Sequence, residues 1–310
     1  MDRNLKSKIA FMYYTCDMTQ EEIASRLSLT RQKVNSVIGS LRADGIVSIS
    51  ICDSAGDSTG REVELEKRFG LKRVVISPSY GEPRLDFLKL ASTAAEYIEG
   101  EISNGDIVGV SWGRTLSAAV SEMRFLNKKD CCVVQLLGAQ SMDGFGAKSD
   151  DIVRSLAEKL NCGSYLLYAP MVVSTGELKD LLVKEKPIQR SLDIMRSCNI
   201  ALFGIGEINE DAAMHRMGYL SDEDIARLGR EGFVADIALN PIRSDGGADG
   251  CFLTERLLNA DIECIRSIEN TVGIAAGAAK AEAVLAVLRS RLLRTLIIDS
   301  ALADEIISRI

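Results

Sequence analysis

The sequence predicts an α/β protein in two parts, an N-terminal winged helix-turn-helix followed by a Rossmann-like parallel sheet with helices on both faces. Three observations predict it. Two short amphipathic segments, each opened by a threonine, lie within residues 19–42 and are separated by little more than Ser28 and Leu29. From residue 71 onward, short apolar runs alternate with helix-length stretches. Between the two patterns lies CDSAGDSTG (52–60), small, polar and glycine-containing, which is the composition of a hinge. The expected division is a head over 1–52, a linker over 53–60 and a body over 61–310.

In the head, Leu5–Tyr14 places Leu5, Ile9, Met12 and Tyr13 on one helical face. Thr19-Gln20-Glu21-Glu22 has the form of a capping box, in which the Thr19 hydroxyl accepts from the Glu22 N–H and the Glu22 carboxylate returns to the Thr19 N–H. The helix it opens offers Ile23, Ala24 and Leu27 to a core. Thr30 opens a second helix with Val34, Val37, Ile38 and Leu41 as its stripe, the spacing of a helix-turn-helix. Gly45 ends that helix, and Ile46-Val47-Ser48-Ile49-Ser50-Ile51 alternates like a short strand or wing.

The start of the second helix of such a motif enters the major groove of DNA. Arg31, Gln32, Lys33, Asn35 and Ser36 point away from its apolar stripe. Arginine and lysine bridge phosphate or guanine, and glutamine or asparagine pairs with adenine. With Thr19, Gln20 and Thr30 at the two helix starts, these are the candidate DNA contacts, although each taken singly is equally a solvated residue of an amphipathic helix. Charge supports the array. The chain carries −7 overall, but residues 1–52 hold seven basic residues against five acidic ones, a net of +2 that leaves −9 for the remainder. Between Arg26 and Arg42 there are four basic residues and no acid, so a DNA-reading head on an acidic soluble body is expected.

At 310 residues and 46% hydrophobic content the chain has ample material for a core. No apolar run approaches the ~20 residues of a membrane span. Met1-Asp2-Arg3-Asn4-Leu5-Lys6 is polar and unlike a secretion signal, so a cytoplasmic protein is expected. The eight cysteines show no C-x-x-C spacing, which reads as reduced thiols and not as a disulfide framework or zinc site. Cys131-Cys132, in an apolar run, reads as buried packing more than as a redox pair. No metal or cofactor is expected.

In the body, the runs Arg73–Ser77, Ile107–Ser111, Cys132–Leu137, Tyr165–Ala169, Ile200–Ile205, Phe233–Leu239 and Thr295–Asp299 read as buried strands. Leu85–Gly100, Arg114–Phe125, Asp150–Leu160, Lys179–Cys198, Gly277–Ser290 and Ala301–Ile310 read as helices. Such a sheet binds ligands at the carboxyl ends of its strands, where loops meet helix N-termini.

The strand-end loops carry the chemistry. Gly109-Val110-Ser111-Trp112-Gly113 fits G-x-S-x-G, the nucleophile elbow of serine hydrolases, in the strand-turn-helix setting that motif needs. The same small-residue turn brings an anion against free N–H groups, with Arg114 and Thr115 beside it. Gly204-Ile205-Gly206-Glu207 follows a strand, and Ala275-Ala276-Gly277-Ala278-Ala279-Lys280 opens a helix. Lys280 and Arg114 suit phosphate, and Asp236, between Phe233-Val234-Ala235 and Ile237-Ala238-Leu239, suits sugar hydroxyls. Gly204 and Gly206 read equally as plain turn glycines, Lys280 as a solvated lysine, and Trp112 as core or pocket lid. Asp236 is the least comfortable as structure alone, because an unpaired buried carboxylate is costly.

Taken together, VGVSWGRTLSAAV (108–120), VVQLLGA (133–139), ALFGIGEI (201–208), EGFVADI (231–237) and the stretch 272–307 resemble successive blocks of the SorC family of bacterial transcriptional regulators. TQEEIASRLSLTRQKVNSVIGSLRADGIVSISI (19–51) is similar to the family's DNA-binding head, so the resemblance runs from about residue 9 to the end. It implies a DeoR/SorC-type regulator whose sheet domain resembles phosphosugar isomerases and deaminases but lacks their activity. It also implies a phosphorylated sugar or polyol as effector, double-stranded operator DNA as partner and a homotetramer, most simply as a repressor of a carbohydrate or polyol operon. Carried over by position, Ser111, Trp112, Gly113, Arg114, Thr115 and Leu116, with Gly277 and Lys280, hold the phosphate end. Asp236 meets the hydroxyls, and Gly138, Gly204, Gly206 and Glu207 line the pocket. Ser36 stands where the family usually has arginine, and Ala139, Ala235 and Ala276 stand where it usually has glycine.

Two enzymatic alternatives remain. A serine hydrolase using Ser111 needs a base, and the chain has a single histidine, His215, in a polar stretch away from any strand end. An active sugar-phosphate isomerase or deaminase needs a strand-end acid and base, and only Asp236 offers itself. The expectation is therefore a regulator and not an enzyme.

Overall fold

The computed structural model of the chain describes residues 2–47, 58–139 and 148–310. They belong to two compact units that divide between Ser54 and Ala55.

The first unit is three helices, α1 (Arg3–Tyr14), α2 (Gln20–Leu27) and α3 (Arg31–Ser40). The capping box forms as the sequence predicts: the Glu22 N–H donates to Thr19 Oγ1 at 3.3 Å, and the Thr19 N–H donates to Glu22 Oε2 at 2.8 Å. Ser28 takes a left-handed backbone (φ 55°) and ends α2, and the Thr30 hydroxyl caps α3 by accepting from the Lys33 N–H at 3.2 Å. Ile9, Met12, Ile23, Val34, Val37 and Leu41 meet in the core, so the stripes read from the 3.6-residue period do face one another. α3 ends at Ser40 and a turn carries the chain to Gly45. Most of the expected wing, from Ser48 to Ile51, lies outside the described residues.

The second unit begins with α4 (Ser58–Phe69), so the last three residues of the expected linker are helical. Then follow β1 (Arg73–Ser77), α5 (Pro83–Glu101), β2 (Ile107–Val110), α6 (Arg114–Glu122), β3 (Cys132–Gln135), α7 (Ser149–Leu160) and β4 (Gly163–Tyr165). The next elements are α8 (Gly176–Leu182), α9 (Lys186–Arg196), β5 (Ile200–Glu207), α10 (Ala213–Arg216) and α11 (Asp222–Arg230). A hairpin of β6 (Phe233–Ile237) and β7 (Asn240–Arg243) precedes α12 (Ile262–Ser267), β8 (Asn270–Ala275), α13 (Ala281–Ser290), β9 (Thr295–Asp299) and α14 (Ser300–Ser308).

The main sheet has the order β1-β9-β8-β5-β2-β3-β4, with every neighbouring pair parallel. Its strands are apolar on both sides because helices cover both faces. In β5, Ile200 and Leu202 join the cluster built by α5, α6 and α7, while Ala201, Phe203 and Ile205 join the one built by α4, α9, α12, α13 and α14. From β2 the chain steps outward to β3 and β4, then returns to lay β5 on the other side of β2. The order reverses at the β2–β5 boundary, and their carboxyl ends splay into the crevice where such folds bind ligands.

Three expectations are corrected. Beyond the parallel main sheet that the sequence predicts, the tip of β5, Ile205–Glu207, pairs antiparallel with β6, which pairs antiparallel with β7. The expected strand Phe233–Leu239 therefore stops at Ile237, where the chain reverses. β7 escaped detection because Pro241 interrupts it, which an edge strand tolerates. The single helix expected over Lys179–Cys198 is two, because Pro187 starts α9 and cannot continue α8. The strand expected over Tyr165–Ala169 ends at Tyr165; beyond it the buried chain bonds to the Gln135 side chain through the Leu167 N–H at 3.0 Å.

Candidate functional site

Ser111 leaves β2 fully buried. Its N–H donates to the Leu202 carbonyl at 3.0 Å, and its Oγ accepts from the Gly204 N–H at 3.2 Å, which ties the ends of β2 and β5 together. Gly204 packs so closely that a Cβ there would lie 2.8 Å from the Trp112 carbonyl oxygen. Gly113 (φ 125°) adopts backbone that glycine alone takes readily, turning the chain into α6. No side chain caps α6, so the orphan N–H groups of its first turn are unclaimed by a cap where Arg114 and Thr115 begin the helix.

Across the crevice, the β5–β6 register sets Gly206 opposite Asp236. A Cβ on Gly206 would fall 1.9 Å from Asp236 Oδ1, so this strand pair requires glycine for the carboxylate to lie where it does. Protein surrounds the carboxyl, while the residue keeps some surface open as a cavity-lining group does. Burial pushes its pKa up to about 6, against the opposing effects of the Leu239 N–H, which donates to Oδ2 at 3.2 Å, and the nearby Lys280 charge. The turn supplying that N–H is strained. Ala238 (φ 46°) and Leu239 (φ 66°) both take left-handed backbone with no glycine or asparagine, at a cost of order 1–3 kcal/mol each. It is held by Asn240 Nδ2, which donates to the Ile237, Ala238 and Ala260 carbonyls, and by Asn259 Nδ2, which donates to Ala238 at 2.7 Å.

Lys280 arrives from the loop after β8 and donates to the Ile205 carbonyl at 2.5 Å. Burial lowers its pKa; Glu207 and Asp236 oppose that shift and Arg114 adds to it. Two cations and two carboxylates thus share one field around the β5 tip. They line a cavity of about 500 Å³. Of the residues expected to form a pocket, Trp112, Gly113, Arg114, Thr115, Gly204, Gly206, Glu207, Asp236 and Lys280 all line it.

Four expected residues stand outside the lining. Ser111 and Leu116 are sealed beneath it. Gly138 is buried against the 169–171 segment, where a Cβ would lie 2.6 Å from the Ala169 carbonyl oxygen. Gly277 spends its N–H on Asp299 Oδ2 at 2.5 Å, so the expected anion donor is already bonded within the fold. Of the three alanines that replace family glycines, Ala276 alone lines the cavity. Sequence reasoning missed the rest of the lining: Phe87 from α5, Asn209, Asp211 and Arg216, and an apolar group of Met214, Met217, Leu220, Leu228, Leu239 and Leu253. The three-residue spacing of Met214 and Met217 was the available signal, hidden in a stretch read only as polar.

His215 Nδ1 lies 2.7 Å from the Glu210 carbonyl oxygen and Nε2 lies 2.8 Å from Asp222 Oδ1, so both ring nitrogens have partners. Its pKa is raised, first by the Glu210 carbonyl and then by Asp222. Cys131 is buried and burial raises the Cys132 thiol, the environment of packing sulfur. Among the described residues there is no cluster of three or more metal-ligating side chains, and no helix is long and apolar enough to cross a membrane.

In the first unit, Arg31, Gln32, Lys33, Asn35 and Ser36 are exposed on α3 while Val34 and Val37 are buried. Gln20 Nε2 donates to Asn35 Oδ1 at 3.3 Å, and Arg31 pairs with Glu21 at 3.1 Å, so the two helices present a braced polar face. The Thr19 and Thr30 hydroxyls are engaged as caps.

A helix-turn-helix unit and a parallel-sheet unit with a charged switch-point cavity define a ligand-responsive DNA-binding regulator. The family model described as "Putative sugar-binding domain" matches residues 53–308, and a Crp-like helix-turn-helix domain matches residues 6–55. The chain belongs to the SorC-type family of sugar-binding transcriptional regulators. It is 28% identical over 313 residues to the deoxyribonucleoside regulator of Bacillus subtilis, covering 99% of each chain. It is 28% identical to the erythritol catabolism regulatory protein EryD of Brucella abortus, covering 99% of this chain and 98% of that one. A domain of a possible sugar-binding transcriptional regulator from Arthrobacter aurescens TC1 superposes with a TM-score of 0.75 at 28% identity, over 84% of this chain and 100% of that one. The full-length sorbitol operon regulator SorC from Klebsiella pneumoniae has the same fold, with a TM-score of 0.77 over 99% of each chain at 24% identity.

Proposed function

We propose that this regulator is a cytoplasmic repressor of a carbohydrate or polyol catabolic operon. The α2–α3 face binds operator DNA through Gln20, Arg31, Gln32, Lys33, Asn35 and Ser36, and a phosphorylated sugar or polyol in the switch-point cavity relieves repression. The head over 1–52 reads DNA, and the body over 61–310 binds effector and assembles the protein as a homotetramer. One observation carries the reading: Arg114, Lys280 and the uncapped start of α6 converge on the cavity that also holds Asp236. Cations and free N–H groups suit a phosphate, and a carboxylate suits hydroxyl donors. The relatives' names point the same way, to deoxyribonucleosides, erythritol and sorbitol.

The reading involves no turnover. The Ser111 hydroxyl accepts from a backbone N–H beneath the cavity floor, and His215 is committed to Glu210 and Asp222, which leaves the nucleophile elbow without its general base. The test is a thermal-shift screen of sugar and polyol phosphates on the full-length protein, followed by gel shift on the promoter of its own operon. A compound that raises the Tm of the protein and also releases the DNA is expected. Absence of DNA binding at low salt overturns the regulator reading, and absence of any stabilising phosphate overturns the effector assignment.

A further inference from the structure

We propose that Asn259 is a positioning residue of the effector site: from outside the cavity it holds the Ala238–Leu239 turn, which aims the Leu239 N–H at Asp236 and so fixes the carboxylate. The inference rests on the effector reading and deepens it by naming what orients the carboxylate, but its test needs no effector. Asp236 and Leu239 both line the cavity, whereas Asn240 and Asn259 stand behind it. Ala238 and Leu239 take left-handed backbone that neither residue favours, and such a turn keeps its shape only while its surroundings over-determine it. Two donors meet on the Ala238 carbonyl oxygen, Asn240 Nδ2 at 3.2 Å and Asn259 Nδ2 at 2.7 Å. Asn240 belongs to the hairpin itself, while Asn259 stands 21 residues away in a separate part of the fold. Asn240 reaches the same outside segment through the Ala260 carbonyl at 2.9 Å.

That segment is laced to the chain leaving β3. The Gly138 N–H donates to the Leu258 carbonyl at 2.8 Å, the Ala260 N–H donates to the Leu136 carbonyl at 2.7 Å, and Leu137 and Asn259 pair as an antiparallel bridge. Backbone bonds on both sides of Asn259 thus fix the place from which its amide reaches Ala238. Gly138, which lies outside the cavity lining and has no room for a Cβ, gains a role here: it seats the segment that carries Asn259.

The consequence falls on Asp236. Its Oδ2 accepts from the Leu239 N–H at 3.2 Å, and among the described residues nothing donates to Oδ1, which sits against Gly206. That N–H stabilises the charged form of a carboxyl that burial pushes the other way. The other charged groups of the cavity are Lys280 from the loop after β8, Glu207 from β5, Arg114 from α6, and Asp211 and Arg216 in and before α10. A substitution at Asn259 alters none of them.

The test measures the stability of the full-length protein by urea denaturation across pH, in pairs with and without Asp236→Asn, so that the difference within each pair isolates this carboxyl. In the wild type that difference levels off just above the carboxyl's own value of about 6. In Asn259→Ala the Leu239 N–H is released, and this upper edge is expected to move up by about half to one pH unit. Adding Ala238→Gly, which takes left-handed backbone freely, returns the edge to its wild-type position without restoring the lost amide. An unmoved edge in Asn259→Ala overturns the proposal, because a merely structural amide lowers stability at every pH alike. An edge that Ala238→Gly fails to restore overturns it as well. Where Asn259→Ala alone does not fold, the double variant decides: a wild-type edge supports the proposal, and a displaced edge or a chain that still fails to fold overturns it. Each outcome is read without a ligand, so this inference and the effector reading fail separately.

Discussion

Asp236→Asn tests the physical account of the cavity most directly, because it removes a charge while keeping the side chain's shape. Burial raises the carboxyl from its ordinary 3.8 to about 6. At ~1.4 kcal/mol per pH unit this is a ceiling of roughly 3 kcal/mol. Water reaching the cavity and the charge left on Lys280 both reduce it, so the expected gain is about 1–3 kcal/mol. The sign follows from linkage. Between about pH 4 and 6 the native protein holds a proton that the unfolded chain has released, so wild-type stability falls as pH rises through that window. The variant has no such proton. Its advantage should be near zero at pH 4 and fully open by pH 7.5. Urea denaturation followed by the fluorescence of Trp112, the chain's only tryptophan, reads the second unit directly. A difference that does not change with pH, or a variant less stable at pH 7.5, refutes the reasoning. Under the proposed function the stabilised variant also keeps its DNA binding and loses its effector response, the trade expected where a binding site stores cost.

The remaining predictions are briefer. Gly206→Ala drives a Cβ to within 1.9 Å of Asp236 Oδ1 and should cost about 1–3 kcal/mol by denaturation; adding Asp236→Ala should recover part of that loss. Ser111→Ala orphans the Gly204 N–H and should destabilise by about 1–3 kcal/mol, while the wild-type protein should show no labelling by a fluorophosphonate probe. Lys33→Ala should weaken operator and nonspecific DNA alike and reduce the log–log salt slope by about 0.9 in fluorescence anisotropy. His215 donates to both the Glu210 carbonyl and Asp222 only when protonated, so the stability it contributes is present at low pH and lost as pH rises through its raised pKa. Melting curves of His215→Gln should show a flatter pH dependence there, and an unchanged profile counts against the clasp.

What the sequence determined by itself is what local physics governs. The capping box at Thr19 and Glu22, the stripes of α2 and α3 and the exposed face of Arg31, Lys33 and Asn35 depend on spacings within one or two turns. They were legible without a fold. The apolar runs of β1, β2, β5 and β9 were equally plain, because strands covered on both faces are mostly apolar, with polar residues such as Ser77, Thr295 and Asp299 at their ends. The loops flanking the cavity, around Arg114, Gly206, Asp236 and Lys280, were readable as strand ends.

Tertiary structure alone decided how those loops meet. The reversal of strand order between β2 and β5 makes the crevice, and the antiparallel tip of β5 sets Gly206 against Asp236. The Ala238–Leu239 reversal is opaque in sequence because neither residue favours left-handed backbone; Asn240 and Asn259 impose it from outside the turn. Gly277 shows the converse. Its place at a helix start promised an anion donor, but Asp299, 22 residues away, already holds its N–H. Ser111 carried the most suggestive motif in the chain, and its meaning rested on whether the hydroxyl reached open space. That depends on which backbone packs above it, and the N–H of Gly204 sealed it in.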